Sequence, residues 1–118
     1  MAKVHVIPHT HWDREWYFTQ QDSDVLATYN FTKVIETLEN TEAYTCYHLD
    51  GQSSIVEDYL KVLPYMQERM AKLVSGKKLF IGPWYTQTDT YNVAAESIIR
   101  NLKYGMHIAE GLGHSMKV

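Results

Sequence analysis

The sequence contains almost no cysteine. Cys46 is the single cysteine among 118 residues, so no disulfide can form within the chain. This usage is typical of a protein from a reducing compartment. The first three residues lead directly into an apolar segment, without the charged stretch, long apolar stretch and cleavage site of a secretion signal. The sequence therefore predicts a cytoplasmic protein.

Long apolar runs and a strong charge of either sign are also missing. No apolar run approaches the roughly 20 residues that span a bilayer. The net charge of −3 is too small to indicate binding to nucleic acid or to an anionic membrane, so we expect neither partner. With 45% hydrophobic residues, the chain has the composition of an ordinary globular protein, and its length suits one domain.

Short apolar segments alternate along the chain with segments in which apolar residues recur at helical spacing. The pattern predicts strands at residues 4–7, 44–49 and 79–81, and helices at about residues 24–40, 54–75 and 94–110. Such alternation of strands and helices indicates an α/β fold with a parallel sheet and right-handed crossovers.

Local signals predict where these helices begin. Asp22 or Ser23 is expected to cap the first helix. Ser53 or Ser54 is expected to cap the second, with Glu57 as the acidic partner of a capping box on Ser54. Pro64 is expected to break or restart that helix, because proline fits the first turn of a helix but not its interior.

Polar and aromatic residues follow each predicted strand. They occupy residues 9–13, 50–52 and 84–89. Ligands of parallel α/β proteins bind at the carboxyl ends of the strands. We therefore expect these segments to converge on one rim of the sheet.

The first of these segments has the composition of half a metal site. If the extended backbone continues past Pro8, alternate side chains point the same way, so His9, His11 and Asp13 share one face. Two imidazoles and a carboxylate can bind a divalent metal. The spacing alone leaves a second interpretation open, in which capping or core histidines lie beside a solvated carboxylate.

Asp89 and the aromatic residues are ambiguous when considered by themselves. Asp89 alone is better explained as a helix cap or a solvated loop carboxylate. Nine tyrosines and three tryptophans are many for this length. Aromatic rings stack on sugar faces, but they are equally common in protein cores.

Three stretches together resemble glycoside hydrolase family 38, the zinc-dependent α-mannosidases. The stretch His9 to Tyr17 is similar to the N-terminal signature of that family in its bacterial branch. Leu49 to Gln52 resembles a recurrent Leu-Asp-Gly-Gln stretch. Gly82 to Asp89, followed by a helix that contains Glu96 and Arg100, resembles the family segment that carries the nucleophile.

The resemblance implies roles for individual residues. It implies that His11 and Asp13 bind Zn²⁺, and that Asp89 is both the catalytic nucleophile and a zinc ligand. Asp89 lies one residue further from Trp84 than in the animal enzymes, so the alignment is anchored on the helix that follows. The family's fourth zinc ligand, a histidine, and its general acid/base, an aspartate, are absent from this sequence.

Substrate-binding residues follow from the same resemblance. Trp12, Trp16, Trp84 and Tyr85 are candidates for the apolar walls around the sugar, and packing at the rim is an equally good interpretation for each. Asp50 is expected to shape its turn in preference to orienting a metal ligand.

The resemblance also implies a fold and an activity. The family's catalytic domain is an incomplete parallel β/α barrel of about seven strands, and residues 1–118 would form its N-terminal fragment with about three βα units. The parent enzyme would hydrolyse terminal α-mannosyl residues of α-mannoside glycans with retention of configuration. We expect the isolated chain to be inactive. An unpaired sheet edge predicts self-association into a homo-oligomer.

Two other functions fit the same residues. Another metal-dependent β/α-barrel hydrolase, such as a deacetylase, also uses His and Asp at strand ends, but its nucleophile is a metal-bound hydroxide. A non-catalytic carbohydrate-binding or assembly module would need only the tryptophans. A covalent sugar adduct on Asp89 would favour the mannosidase over the deacetylase. Function that is unaffected by a chelator would favour the binding module.

Overall fold

The computed structural model describes residues 1–117. Its strands are β1 (His9–Thr10), β2 (Tyr47–Leu49) and β3 (Leu79–Ile81). Its α-helices are α1 (Gln20–Asn40), α2 (Ser54–Val62), α3 (Gln67–Ser75) and α4 (Ala95–Gly111), with a short 3₁₀-helix at Pro64–Met66. The expected alternation of strands and helices is therefore present.

The three strands form one parallel sheet in the order β1-β2-β3. His9 of β1 lies opposite His48 of β2, and Leu49 of β2 lies opposite Ile81 of β3. Parallel neighbours need a crossover connection. α1 provides the first crossover, and α2 and α3 provide the second.

The prediction that this fold is the N-terminal portion of a β/α barrel is wrong. The sheet is open, with β1 and β3 at its edges, and its strands are only two or three residues long. A barrel requires strands that pair around a full ring, and such closure is absent from residues 1–117. Ile81 of β3 instead accepts a hydrogen bond from the backbone N–H of Met116 at 3.4 Å. The architecture is a small open parallel sheet with four α-helices.

The first predicted strand is also wrong. Residues 4–7 have no regular structure, and Val4, Val6 and Ile7 are 81%, 84% and 65% exposed. The neighbouring strand β2 begins only at Tyr47, so these residues have no strand opposite them. The sheet contact nearest to them is the Pro8 carbonyl, which accepts the N–H of His48 at 3.0 Å. Apolar content alone does not make a strand when no partner lies alongside.

The core lies where α1, α2 and α3 cover the sheet. Phe31 of α1 and Tyr59 of α2 are each 1% exposed, and their ring centroids lie 5.8 Å apart. The buried Tyr59 hydroxyl is satisfied by the hydroxyl of Thr32 at 2.9 Å. The predicted apolar stripe of α1 is confirmed, since its members Ile35 and Leu38 are also 1% exposed. Helix α1 also holds the segment before it, which carries the first motif, because Trp12 packs on Phe31 and donates its indole N–H to Ser23.

The predicted cap of α1 is wrong, and the predicted cap of α2 is right in position but makes no capping bond. Thr19 caps α1 and forms a capping box with Asp22, so α1 begins earlier than expected. Ser53 stands at the N-cap of α2 without a side-chain bond to the helix. Its hydroxyl instead donates to the carbonyl of Trp84 at 3.1 Å, so a tertiary contact takes the place of a cap, and the capping box predicted on Ser54 does not form. Pro64 restarts the chain as a 3₁₀-helix, as expected.

Helix α4 packs against the segment that follows β3. Its Gly105 is buried, and a Cβ atom there would lie 2.2 Å from the carbonyl carbon of Trp84. Only a residue without a side chain permits this approach. Within residues 1–117 no helix is both long and apolar enough to cross a membrane.

Candidate active site

The segments that follow the three strands meet on one rim of the sheet, as expected. Gly51, after β2, accepts the backbone N–H of Trp84, after β3, at 3.0 Å. Gln52 also forms an isolated parallel bridge with Trp84. The segment after β1 joins them because the carbonyl of Trp12 accepts a hydrogen bond from the Gln52 side chain at 3.0 Å.

The segment after β1 brings His11 and Asp13 together. His11 Nε2 lies 3.4 Å from Asp13 Oδ1, and the two side chains are 60% and 51% exposed. The prediction that alternate side chains share a face is therefore confirmed for His11 and Asp13. His9 does not join them, because its Nδ1 lies 3.4 Å from the carbonyl of Thr10 and it forms no group with the other two. The pair is open to solvent and has the donor atoms of half a metal site.

Asp50 holds the other side of the His11 ring. Its carboxylate is buried, with the residue 5% exposed, and its Oδ1 lies 3.1 Å from His11 Nδ1. Its Oδ2 accepts the backbone N–H of Trp12 at 3.0 Å. A neutral His11 that donates from Nδ1 keeps the Nε2 lone pair free on the side of Asp13. Asp50 therefore contacts the side chain of a predicted metal ligand, which is the role that the sequence favoured less than shaping its turn. It also lies in a turn, with a positive φ of 42°.

The Asp50 contact also changes the protonation of His11. The hydrogen bond with Asp50 is the largest cause that raises the pKa of His11, followed by the charge of Asp50. Burial opposes this effect, and the charge of Asp13 adds a smaller rise in the pKa. A metal ion at this pair would compete with a proton for His11.

Gln52 is a residue of the rim that sequence reasoning did not single out. It is 8% exposed, and its side-chain N–H₂ donates to Asp50 Oδ2 at 2.6 Å as well as to the Trp12 carbonyl. Its Oε1 accepts the backbone N–H of Gln87 at 3.0 Å. Two signals in the sequence pointed to it: its place directly after the turn at the end of β2, and the resemblance of Leu49 to Gln52 to the recurrent family stretch.

Asp89 does not reach His11 and Asp13 in this structure. Its Oδ1 accepts the backbone N–H of Tyr91 at 3.2 Å, and its Oδ2 accepts the Asn92 side chain at 2.6 Å. No three His, Cys, Asp or Glu side chains within residues 1–117 are grouped so that they could hold a metal ion. The donors present therefore fit half a zinc site, and a third ligand would have to come from Asp89 in another position or from elsewhere.

The segment that leads to Asp89 is held by α4. Asn101 Oδ1 accepts the backbone N–H groups of Tyr85 at 2.8 Å and Thr86 at 3.2 Å, and its Nδ2 donates to the Thr86 carbonyl at 2.8 Å. The close approach of α4 at Gly105 to the backbone of Trp84 also holds this segment. One end of the segment is thus rigid, while Asp89 itself is exposed.

A salt bridge ties the first motif to α2. Arg14 Nε lies 2.7 Å from Asp58 Oδ2. Burial is the largest influence on Asp58 and raises its pKa, while the neighbouring Arg14 opposes that rise. This contact limits how far the segment after β1 can move from α2.

The aromatic candidates differ in their surroundings. Trp12 packs on Phe31 with ring centroids 5.6 Å apart and donates its indole N–H to Ser23 at 3.0 Å. Tyr85 stacks edge-on against Tyr104 at 4.7 Å.

Trp16 is 70% exposed. It lines a recess of about 200 Å³ together with His11, Trp12, Asp13, Tyr17 and Phe18. Trp84 is half-buried beside α4. A role in sugar binding stays a prediction for all four candidates.

The sequence matches the model of the glycosyl hydrolases family 38 N-terminal domain over residues 1–117. The chain belongs to glycosyl hydrolase family 38. Within this family, an α-mannosidase from Enterococcus faecalis V583 has a similar structure, with 34% sequence identity and a TM-score of 0.88 over 93% of this chain and 12% of that one. Another family 38 protein from Enterococcus faecalis is 30% identical with a TM-score of 0.84, over 95% of this chain and 13% of that one.

A sequence relative carries a different name. A protein from Halalkalibacterium halodurans, provisionally named a mannosylglycerate hydrolase, is 34% identical over 110 residues, which are 93% of this chain and 12% of that protein. The family 38 chain described here thus spans about one eighth of the length of the relatives it matches. Most of the residues of those proteins have no counterpart in it.

Proposed function

We propose that the full-length product of the gene that encodes this chain is a zinc-dependent, retaining α-mannosidase. It would hydrolyse terminal α-mannosyl residues of α-mannoside glycans, and residues 1–118 would be the N-terminal part of its catalytic domain. The observation that carries the proposal is the solvent-facing pair of His11 and Asp13, whose atoms lie 3.4 Å apart on the rim of a family 38 domain. Asp50 orients the His11 ring through a hydrogen bond at the other ring nitrogen, Nδ1.

In this proposal, His11 and Asp13 hold the metal and Asp89 acts on the sugar. Bound zinc would supply a positive charge that orients the hydroxyl groups of the sugar. Asp89 would form a covalent bond to the anomeric carbon while the bond to the leaving oxygen breaks, as in other retaining glycosidases. An acid from outside this chain would protonate that oxygen, and water would then release the sugar from Asp89. To do so, the Asp89 carboxylate must leave its hydrogen bonds to Tyr91 and Asn92. The exposure of Asp89 makes that movement compatible with the fold.

The remaining proposals concern the surroundings of the site. Trp12, Trp16, Trp84 and Tyr85 are proposed to bind the sugar, with Trp16 the most accessible of them. The single cysteine, Cys46, supports a cytoplasmic location. The open edges of the sheet support self-association.

A second substrate is favoured by one observation. The relative from Halalkalibacterium halodurans bears the name of a mannosylglycerate hydrolase and is as similar in sequence as the α-mannosidase from Enterococcus faecalis, at 34% identity each. Mannosylglycerate is therefore the alternative substrate, and both candidates share a mannosyl unit.

Hydrolysis assays test the proposal. The purified full-length product is incubated with an aryl α-mannoside, with mannosylglycerate, and with each of them after treatment with a chelator. We expect hydrolysis of at least one substrate, loss of activity with the chelator, and recovery with Zn²⁺. Activity that survives complete removal of metal would contradict zinc dependence. Hydrolysis of an acetylated substrate, with no sugar adduct trapped on Asp89, would favour the deacetylase alternative.

A further inference from the structure

The amide of Gln52 joins the segments that follow all three strands. Its N–H₂ group donates to the carbonyl of Trp12 at 3.0 Å and to Asp50 Oδ2 at 2.6 Å. Its oxygen accepts the N–H of Gln87 at 3.0 Å. Because a reversed amide would direct its hydrogens at the Gln87 N–H and its oxygen at a carboxylate, only one orientation satisfies all three partners. Gln52 is 8% exposed, so water does not readily replace these bonds.

These bonds reach both halves of the proposed site. On one side, Gln52 holds the Asp50 carboxylate, and Asp50 in turn orients the His11 ring, since its Oδ1 lies 3.1 Å from His11 Nδ1. On the other side, Gln87 lies two residues before Asp89. Loss of the Gln52 amide would leave the buried Asp50 carboxylate with one donor fewer and would release the backbone of Gln87. Both the metal-binding pair and the nucleophile would then lose a restraint on their position.

We propose that Gln52 is a positioning residue of the active site, which sets the distance between the His11–Asp13 pair and the segment that carries Asp89. This inference rests on the proposed glycosidase function. Gln52 contacts no reacting atom and acts only through Asp50, Trp12 and Gln87. A displacement of catalytic groups by about 1 Å can cost on the order of 100-fold in rate, so a residue of this kind has a measurable effect on turnover.

Two substitutions of Gln52 separate its bonds. Gln52→Met keeps the length of the side chain but removes all three hydrogen bonds. Gln52→Glu keeps an acceptor for Gln87 but places a carboxylate against Asp50 and the Trp12 carbonyl. The matched control is Arg69→Met, which breaks the salt bridge from Arg69 Nε to Glu39 Oε1, 3.0 Å long, near the other end of α1 from the rim.

The first measurement is the kinetics of the full-length product. We expect kcat to fall by about 10-fold to 100-fold in both Gln52 variants, with KM changed by less than about threefold, because binding groups remain while their alignment with Asp89 is lost. Arg69→Met should retain both constants. A kcat of Gln52→Met within about twofold of the unmodified protein, or an equal fall in Arg69→Met, would overturn the proposal.

The second measurement does not depend on activity. Amide hydrogen exchange of the 118-residue chain is followed by NMR. In Gln52→Met, we expect protection to fall at Gln87, whose N–H loses its acceptor, but to persist at Tyr85, which Asn101 holds independently. In Gln52→Glu, protection at Gln87 should remain. Unchanged protection at Gln87 in Gln52→Met would show that Gln52 does not hold this segment.

The two measurements separate this inference from the proposed function. If the unmodified full-length product hydrolyses neither mannoside, the proposed function is wrong, and a catalytic role for Gln52 falls with it. If the unmodified protein is active but the Gln52 variants match it, only the role of Gln52 is wrong. Activity together with a selective loss of kcat supports both.

Discussion

At the scale of single residues, His11 is held between two carboxylates with different surroundings. Asp50 is buried and lies 3.1 Å from Nδ1, whereas Asp13 is exposed and lies 3.4 Å from Nε2. The raised pKa of His11, caused first by its hydrogen bond with Asp50, means that folding favours its protonated form. This contribution to stability is complete below the ordinary pKa of histidine and is lost as the pH rises through the higher pKa of the folded state.

The first prediction tests that cause. Asp50→Asn removes the charge that faces His11, so we expect the pKa of His11 in the 118-residue chain to fall, measured by NMR titration of its imidazole resonances. Glu42→Gln is the control, because it removes an exposed charge that takes no part in raising the pKa of His11. A His11 titration that is the same in all three proteins would contradict the assignment to Asp50.

The second prediction concerns metal binding. We expect His11→Ala and Asp13→Ala to lower the zinc content of the full-length product, measured by atomic absorption after dialysis, while the circular dichroism spectrum is unchanged. Zinc affinity of the unmodified protein should fall as the pH is lowered through the raised pKa of His11, because the proton competes for the ring. His107→Ala, on the exposed face of α4, is the matched control. Full zinc content in both site variants would remove them from the metal site.

The third prediction concerns the nucleophile. Asp89→Asn removes the attacking charge, and loss of one member of a cooperating catalytic group commonly lowers kcat by about a thousandfold or more. The assay is hydrolysis of an aryl α-mannoside by the full-length product. Asn92→Ala is the control. It removes the 2.6 Å hydrogen bond to Asp89 Oδ2 but keeps the carboxylate, so it should leave most of the activity. Activity of Asp89→Asn within about tenfold of the unmodified protein would reject the assignment.

At the scale of elements, α4 carries the support for the segment after β3. Asn101 binds the backbone of Tyr85 and Thr86, and Gly105, one turn later, lets the helix approach the backbone of Trp84. The helix thus positions the segment that leads to Asp89 through contacts with its backbone, to which the stacking of Tyr85 on Tyr104 adds a side-chain contact.

The fourth prediction compares two glycines of α4. In Gly105→Ala the new Cβ would lie 2.2 Å from the carbonyl carbon of Trp84, so the helix must shift. We expect a loss of about 1–3 kcal/mol in the free energy of unfolding and a Tm lower by at least about 4 °C. Gly111→Ala, whose Cβ meets nothing within 4 Å, is the control and should retain or raise the Tm. Equal Tm values in thermal unfolding of both variants would contradict the close packing.

At the scale of the whole molecule, the fifth prediction concerns the chain by itself. Residues 1–117 bring together only two of the three predicted zinc ligands, and a zinc site usually needs at least three protein ligands. We therefore expect no hydrolysis of an aryl α-mannoside by the 118-residue chain, even with Zn²⁺ added. The control is the full-length product, assayed at the same concentration. Turnover by the chain alone would contradict this prediction and would mean that the chain forms a complete site.

The same chain should self-associate. β1 is an edge strand that pairs only with β2 among the described residues, and Val4, Val6 and Ile7 beside it are 65–84% exposed. Such edges and apolar patches favour association. Light scattering should show a mass above 13.8 kDa that rises with protein concentration. A monodisperse monomer at all concentrations would contradict this prediction.

The sequence by itself determined what depends on neighbours along the chain. The apolar stripe of α1, the restart at Pro64, the strand at residues 79–81 and the position of each motif after a strand all follow from local spacing, and all are present. Local spacing also misled where a partner was needed. Residues 4–7 have the composition of a strand but lie exposed, and the hydroxyl of Ser53, one of the two expected to cap α2, bonds to Trp84 instead.

Only the tertiary structure decided which motif residues touch. The contacts of Asp50 with His11 and of Gln52 with Trp12 and Gln87 join residues 35 to 40 positions apart. Their existence depends on the register of three strands, which no local pattern encodes. The same register leaves Asp89 outside the His11–Asp13 pair in this structure. Motif spacing therefore located the candidate residues, while packing of the strand ends determined which of them lie together.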